Sequence, residues 1–524
     1  MLATTYHRLV IIHAPAFDRR RFLRTLGQGA LMAAIPGAVW AEEGETVTIS
    51  LFHTTDLHGH ILPTSDYQGH PDLGGLARCA TQIRQWQRAN PNSVLLDLGD
   101  IYQGTALGLH TQGVTMISCL NGLGYDGWVV GNHEFDWGIE PFSQCVKQST
   151  MPVLSGNALA ENVQPWLVKD MAGFRIVIIG LTTPALASWL PPENLRGFES
   201  LDPVESLRKI LRQTESLKPD AIIVAGHMGL TRRDDHANRV GALTREFPQI
   251  AACIGGHTHQ NRPGEIMNGV LYTQADHYGI HVGKLELTFH RTTRKLLKRE
   301  AITVQMDHRI ALDPLVLSLT QKERDTTDQL LLQKIGDLTE PLGLASSFGQ
   351  PSDLERLIAS AIRAALTKRG CEVDAVVHGL FEGEMPVAAG MKTVADAWTI
   401  LPYENQIVTV DLSRENFIAL AQDFAKARDV RNIMGVRIVG AVSDGVFQVQ
   451  DIRMANGAPL PPKETYRVAL NSHDSQSAGQ KFPVVAKLVA SPSNRRVLHP
   501  VQTRDALIDY FAASGQIARS SFLV

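Results

Sequence analysis

Cysteine is scarce in this chain. Its 524 residues include five, Cys79, Cys119, Cys145, Cys253 and Cys371, with no Cys-x-x-Cys pair. That spacing excludes a zinc ribbon or a dithiol redox motif, and an odd, scattered set argues against a disulfide-built scaffold. Such cysteines read as small buried side chains. An excess of one charge is missing too. Fifty Lys and Arg stand against 53 Asp and Glu, for a formal net charge of −3, so neither nucleic acid nor an anionic membrane is an expected partner. A small phosphorylated ligand stays compatible, because a bound metal ion can supply positive charge locally. Internal repeats, low-complexity tracts and the compositions of disorder, collagen or coiled coil are all lacking. Beyond Ala41 no run approaches the roughly 18 uninterrupted apolar residues of a membrane span.

The first segment reads as an address. Arg19-Arg20-Arg21-Phe22-Leu23-Arg24 has the form of a twin-arginine export signal. A weakly apolar, glycine-containing stretch follows from Leu26 to Trp40, and Ala38-Val39-Trp40-Ala41 offers small residues around a cut after Ala41. Residues 1–41 are therefore expected to be a signal peptide, read by the twin-arginine machinery and delivering the protein to the periplasm or beyond.

A chain of this length exceeds one compact core, since domains usually hold about 100–200 residues. From residue 46 to about 312, apolar runs alternate with helical patterns. Expected strands are Val47–His53, Val94–Leu98, Trp128–Val130, Val153–Leu154, Arg175–Leu181, Ala221–Ala225 and Ala252–Ile254, mostly apolar on both faces as buried strands are. Amphipathic stretches lie between them at Leu76–Arg88 and Pro203–Leu217, the second entered by Asp202 as N-cap. This is α/β organisation. A charged helical stretch, Pro314–Ile335, reads as a linker over residues 313–336. A second, smaller α/β segment fills residues 337–524, with a helix at Asp353–Lys368 and strands at Ala375–Val377, Gln406–Asp411 and Tyr466–Asn471.

Polar clusters interrupt the first domain at its strand ends: Thr54-Thr55-Asp56-Leu57-His58-Gly59, Gly99-Asp100-Ile101-Tyr102-Gln103-Gly104, Gly131-Asn132-His133-Glu134-Phe135-Asp136, Gly226-His227-Met228-Gly229 and Gly255-Gly256-His257-Thr258-His259. In α/β sheets that edge is where ligands bind. The Asp-x-His and His-x-His spacings put paired side chains on one side of an extended segment. Asp, Asn and His offer oxygen and nitrogen donors suited to Mn²⁺, Zn²⁺, Fe or Co. A carboxylate such as Asp100 can bridge two ions, and two ions about 3.5–4 Å apart clamp both oxygens of an in-line phosphoryl displacement. Each cluster alone is a weak signal; five in order are a strong one. His133-Glu134 lacks the second histidine of a zinc-protease helix.

This ordered set resembles the 5′-nucleotidase branch of the calcineurin-like metallophosphoesterases. The resemblance implies a four-layer αββα sandwich, then the linker helix and a C-terminal substrate domain. It implies two divalent ions, one on Asp56, His58, Asp100 and His259, the other on Asp100, Asn132, His227 and His257. His133 would stand near the phosphoryl group as a non-ligand, oriented by Asp136. The implied activity is hydrolysis of phosphate esters, with a nucleotide as the expected small-molecule partner.

The second domain departs from that pattern. Leu401-Pro402-Tyr403-Glu404-Asn405 fits the family's Leu-Pro-Phe-x-Asn, but the glycine-rich substrate loop becomes His378-Gly379-Leu380-Phe381-Glu382-Gly383-Glu384, with Glu384 where an arginine belongs. Asn471 to Gly479 replaces the late glycine-rich element. Arg431, Asn432, Arg437 and His473 are candidates for a different substrate site, and Phe381, Tyr403 and Phe482 for stacking on a base. Two further readings stay open: hydrolysis of another ester, either a cyclic phosphodiester or an S-sulfonate carrier as in thiosulfohydrolases, and a non-catalytic metal-holding module.

Overall fold

The computed structural model describes residues 45–196, 198–380, 386–443 and 445–523. The expected signal peptide, residues 1–41, lies outside these residues, as do Phe381 and Glu384. The description concerns the unit from Thr46 onward.

Two sheets face each other in the first domain. One runs, edge to edge, Leu296–Gln305, His281–His290, Thr46–Thr54, Ser93–Asp97, Gly127–Val129, Val153–Leu154 and Val163–Gln164. The other runs Asn261–Met267, Val270–Ala275, Ala252–Gly255, Ala221–His227, Phe174–Thr182 and Trp166–Met171. Period-two alternation decides which layer each side chain joins. Ile49, Leu51, Val94 and Leu96 pack against Ile176, Ile178, Ile223 and Ala225 in the inter-sheet core. Their neighbours Phe52 and Leu95 turn outward onto helices Leu76–Ala89, Val114–Leu123 and Ile139–Gln148. Val177, Ile179 and Val224 turn outward onto Pro203–Thr214 and Val240–Glu246. Helix, sheet, sheet, helix is the expected four-layer arrangement.

Helix starts follow local chemistry. Asp202 Oδ1 accepts from the Val204 and Glu205 amides at 2.9 and 3.0 Å, with Pro203 at the first helical position. Asp313 caps Pro314–Leu331 in the same way. This linker helix ends four residues earlier than the charge pattern indicates. Lys334–Leu338 is already a strand, antiparallel to Gly390–Thr393 and parallel to Gln516–Ile517. The strands from Asn261 to Gln305 were not expected either; they form two antiparallel hairpins closing the sheet edges.

The second domain is built on a five-stranded sheet, in the order Asn432–Met434, Ala375–His378, Tyr466–Asn471, Gln406–Leu412 and Arg496–Gln502. Helices Asp353–Thr367 and Thr503–Ser514 share a core with one face, and Arg414–Lys426 and Pro483–Ala490 with the other. Among the described residues no helix is long and apolar enough to cross a membrane.

Candidate metal centre

Five strand ends converge on one rim. Asp56 and His58 follow Thr46–Thr54, Asp100 follows Ser93–Asp97, and Asn132 and His133 follow Gly127–Val129. His227 ends its own strand, and His257 and His259 follow Ala252–Gly255. Contrary to what the spacing indicates, the segments are not extended. Asp56, His58, Asp100, His257 and His259 have φ of 51°, 46°, 55°, 70° and 49°. These are left-handed conformations that residues with a Cβ seldom adopt. Backbone bonds hold them: the Asp56 amide donates to the Gly99 carbonyl at 2.9 Å and the His58 amide to the Asp100 carbonyl at 2.8 Å. Two glycines permit the approach. A Cβ on Gly131 would lie 2.2 Å from Asp100 Oδ1, and one on Gly256 2.4 Å from Thr55 Oγ1. Glu134, buried, accepts from the amides of Asp100, Ile101 and Gly131 at 2.9, 2.8 and 2.6 Å and so braces two of the loops. Burial, then the nearby Asp100 charge, push its carboxyl up to about 7.

Two donor groups result. Asp56, His58 and His259 each present one donor atom, all within 4.8 Å of one another, and Asp100, His227 and His257 do the same. Asp100 Oδ2 lies between the groups, 3.1 Å from His227 Nε2 and 3.8 Å from His58 Nε2. Asn132 Oδ1 stands 3.2 Å from His227 Nε2. The rings are held from behind. His58 Nδ1 lies 2.9 Å from the Gln103 carbonyl and His227 Nδ1 2.7 Å from the Leu98 carbonyl. Donating Nδ1–H to a carbonyl leaves the Nε2 lone pair facing the site, the orientation that a ligating histidine needs. His58 and His259 bring their Nε2 atoms to 3.1 Å, a spacing that a shared proton or a cation satisfies.

The electrostatics agree with this fit. Burial holds the His58 and His257 imidazoles down at about 3, so both are neutral donors. At His227 burial also pulls downward, but the Asp100 carboxylate prevails and the imidazole sits at about 9. A cation on Asp100 and His227 takes the place of that proton. These carboxylate and imidazole donors fit divalent Mn, Zn, Fe or Co.

His133 belongs to neither donor group. Its amide donates to Asp100 Oδ1 at 2.8 Å, and its Nδ1 meets Asp136 Oδ2 at 2.7 Å. Its side chain is 28% exposed. Burial would lower its pKa, but Asp136 and Asp100 carry it up to about 10.

One contributor carries no motif. Tyr67 reaches in from the loop closed by Thr64 and Leu73, its hydroxyl 2.6 Å from His259 Nδ1 and its ring stacked on His277 at 4.3 Å. Nothing in the local sequence marks it.

The second-domain candidates fare unevenly. Phe482 is fully buried, packed on Phe424 with the Arg431 guanidinium over its ring at 5.4 Å, so it is a core residue without a face for a base. Asn432 is consumed by the Gly349 amide, Ser346 Oγ and Glu355 Oε1, all at 2.8–3.0 Å. Arg431 is buried and paired with Asp474 at 2.8 Å. Arg437 is exposed on the hairpin Val436–Ser443 with Val446–Met454, opposite Arg453. His473 is within electrostatic reach of His133, and Tyr403, 45% exposed, is within reach of Tyr67. Phe381 lies outside the described residues.

Comparison with known proteins follows the same division. Residues 49–261 match the calcineurin-like phosphoesterase family model, and residues 334–487 match the 5′-nucleotidase C-terminal domain. Protein UshA of Yersinia enterocolitica is 27% identical over 87% of this chain and 90% of its own length. A 2′,3′-cyclic-nucleotide 2′-phosphodiesterase/3′-nucleotidase of Haemophilus influenzae is 23% identical over 95% of this chain and 90% of its own. The crystal structure of a 5′-nucleotidase precursor from Thermus thermophilus superposes with a TM-score of 0.66, at 24% identity, over 90% of this chain and 97% of that one.

Proposed function

Given that the chain belongs to the calcineurin-like phosphoesterases with a 5′-nucleotidase C-terminal domain, we propose that it hydrolyses phosphate esters, nucleotides among them, at the paired donor groups around Asp100. The observation that carries this is the position of Asp100 Oδ2 between His227 and His58. Divalent ions held there would supply positive charge against the phosphoryl oxygens and acidify a water for in-line attack.

The chain's own residues do the rest. Asp56, His58 and His259 would hold one ion, His227, His257 and Asn132 the other, and Asp100 would serve both. His133, its imidazolium favoured by Asp136, donates to the phosphoryl oxygens as charge builds and can protonate the leaving oxygen. The second domain narrows the substrate class. Phe482 has no free face, and Arg431 is committed to Asp474. Base recognition is correspondingly weak, and specificity is broad or shifted from adenosine monophosphate.

The test is a panel on one metal-loaded preparation: AMP, other nucleotides, a 2′,3′-cyclic nucleotide and an aryl phosphate. Comparable kcat/KM for AMP and the aryl phosphate is expected. No turnover of any phosphate ester refutes the function, and a preference for AMP of several orders of magnitude refutes the weak clamp. Export by the twin-arginine route belongs to the same reading. Replacing Arg19 and Arg20 by lysine should leave an uncut precursor in the cytoplasm, and undiminished export excludes that route.

A further inference from the structure

A carboxylate of the second domain touches the loop that orients a metal-site histidine. Glu404, in the Leu401–Asn405 turn, is buried to 1% at its side chain and Arg504 to 2%. Arg504 NH1 and NH2 both reach Glu404 Oε1 at 3.1 Å. The guanidinium is itself fixed, with Nε donating to the Leu401 carbonyl at 2.7 Å and its plane 3.3 Å from the Trp398 ring centre. Glu404 thus has one oxygen occupied within its own domain and the other free to face outward. That second oxygen, Oε2, accepts from Gln103 Nε2 of the first domain at 2.7 Å.

Gln103 is no ordinary surface partner. It is buried to 1%, and its main-chain carbonyl is the group that holds His58 Nδ1 at 2.9 Å. The next residue, Gly104, lies directly against His58: a Cβ there would be 2.8 Å from the His58 carbonyl oxygen and 2.9 Å from its Cβ. Movement of the Gln103–Gly104 peptide therefore passes to the His58 ring without slack. The other donor group meets the second domain differently, His257 packing on Trp189 at 5.2 Å and the Gly479 amide donating to the Ser188 carbonyl at 3.1 Å. The His227 ring hangs on the Leu98 carbonyl, within the first domain.

We infer that Glu404, held by Arg504, is a positioning residue that acts across the domain boundary: through Gln103 it sets the carbonyl that orients His58, and so sets the affinity of the Asp56–His58–His259 group for its ion. The inference rests on the two-metal reading. A carboxylate hydrogen-bonded to the amide is a strong, charge-assisted contact. Groups that orient a ligating histidine typically change metal affinity about 10- to 100-fold when removed. The second domain is then part of the metal site's architecture as well as a substrate platform.

The experiment uses the full chain loaded with Co²⁺ and dialysed against graded chelator, with bound cobalt counted per chain. Gln103→Met removes the amide but keeps the carbonyl and leaves the Glu404–Arg504 pair intact. It should release one of two ions at about tenfold lower chelator or less, with the other ion shifted under about threefold. The ion affected should be the one that His58→Ala lacks. Glu404→Gln keeps a contact to the Gln103 amide but loses its charge, so it should shift the same ion in the same direction, by less than Gln103→Met. A Gln103→Met curve superimposed on wild type, equal shifts of both ions, or a Glu404→Gln shift as large as that of Gln103→Met overturns the inference. Wild-type protein that never binds two ions overturns the two-metal reading itself, a different result.

Discussion

His133 and Asp136 meet at 2.7 Å, Nδ1 to Oδ2, across a single turn of 3₁₀ helix. The pair is anchored by main chain, since the His133 amide donates to Asp100 Oδ1. The ring can therefore be lost without dismantling the donor groups. His133→Ala should lower kcat by about 10²–10⁴, the usual worth of a general acid or transition-state donor. Two metal ions per chain should remain. Loss of an ion in this variant would make His133 a ligand, contrary to its geometry.

Asp100 has no substitute. Its carboxylate faces both groups, and although burial opposes ionisation, His227 and His133 hold it well below the usual carboxylate range. Asp100→Asn preserves shape but removes the shared charge. Turnover should vanish and bound metal should fall below two ions per chain by elemental analysis. Near-normal turnover with both ions retained would remove Asp100 from its bridging role.

Tyr67 tests the opposite side of the first group. Tyr67→Phe keeps the stack on His277 and deletes only the hydroxyl at His259 Nδ1. Metal affinity should drop by about 10-fold or more, as for other groups that orient a ligating histidine, with little change in the thermal midpoint. Unchanged chelator sensitivity would mean that the contact is incidental.

Arg431 offers a stability prediction. Breaking a buried ion pair by removing one partner costs about 3–5 kcal/mol, and Arg431→Ala leaves Asp474 fully buried without its cationic partner. The denaturant midpoint should fall accordingly. The pH dependence has a definite sign. Burial would raise the Asp474 carboxyl, but Arg431 holds it low. Its contribution is complete above about pH 4, the ordinary carboxylate value, and is lost as pH falls through the depressed one. A variant of wild-type stability with a greatly raised KM would place Arg431 against the substrate instead.

The donor groups were legible because their chemistry is: Asp, Asn and His beside glycine at strand ends have few structural uses in such number. The reason for their convergence was not legible. Spacing alone pointed to extended segments, whereas the five left-handed residues depend on bonds between loops about 40 residues apart, such as His58 to Asp100. Tyr67 was hidden for a related reason, being brought to His259 by a loop with no motif. In the second domain the polar residues misled. Arg431 and Asn432 look available in sequence, but folding spends their hydrogen-bonding groups on Asp474, Glu355 and Ser346. The late hairpins were readable in principle, as Val282, Leu285, Leu287 and Phe289 alternate with polar residues for part of His281–His290.

The left-handed backbone at Asp56, His58, Asp100, His257 and His259 sets activity against robustness in this protein. Each such residue carries a backbone penalty of about 1–3 kcal/mol, borne whether or not an ion is present. Glycine would relieve much of it at His257 and His259, whereas at Asp56 and Asp100 it would orphan the amides of His257 and His133. The apo chain should thus become harder to unfold when those two histidines are replaced, and selection for durability alone would erode the centre there. What opposes that drift is the ion, whose binding adds stability only to chains that keep the costly residues. For this fold, the history of metal supply and the survival of the site are one question.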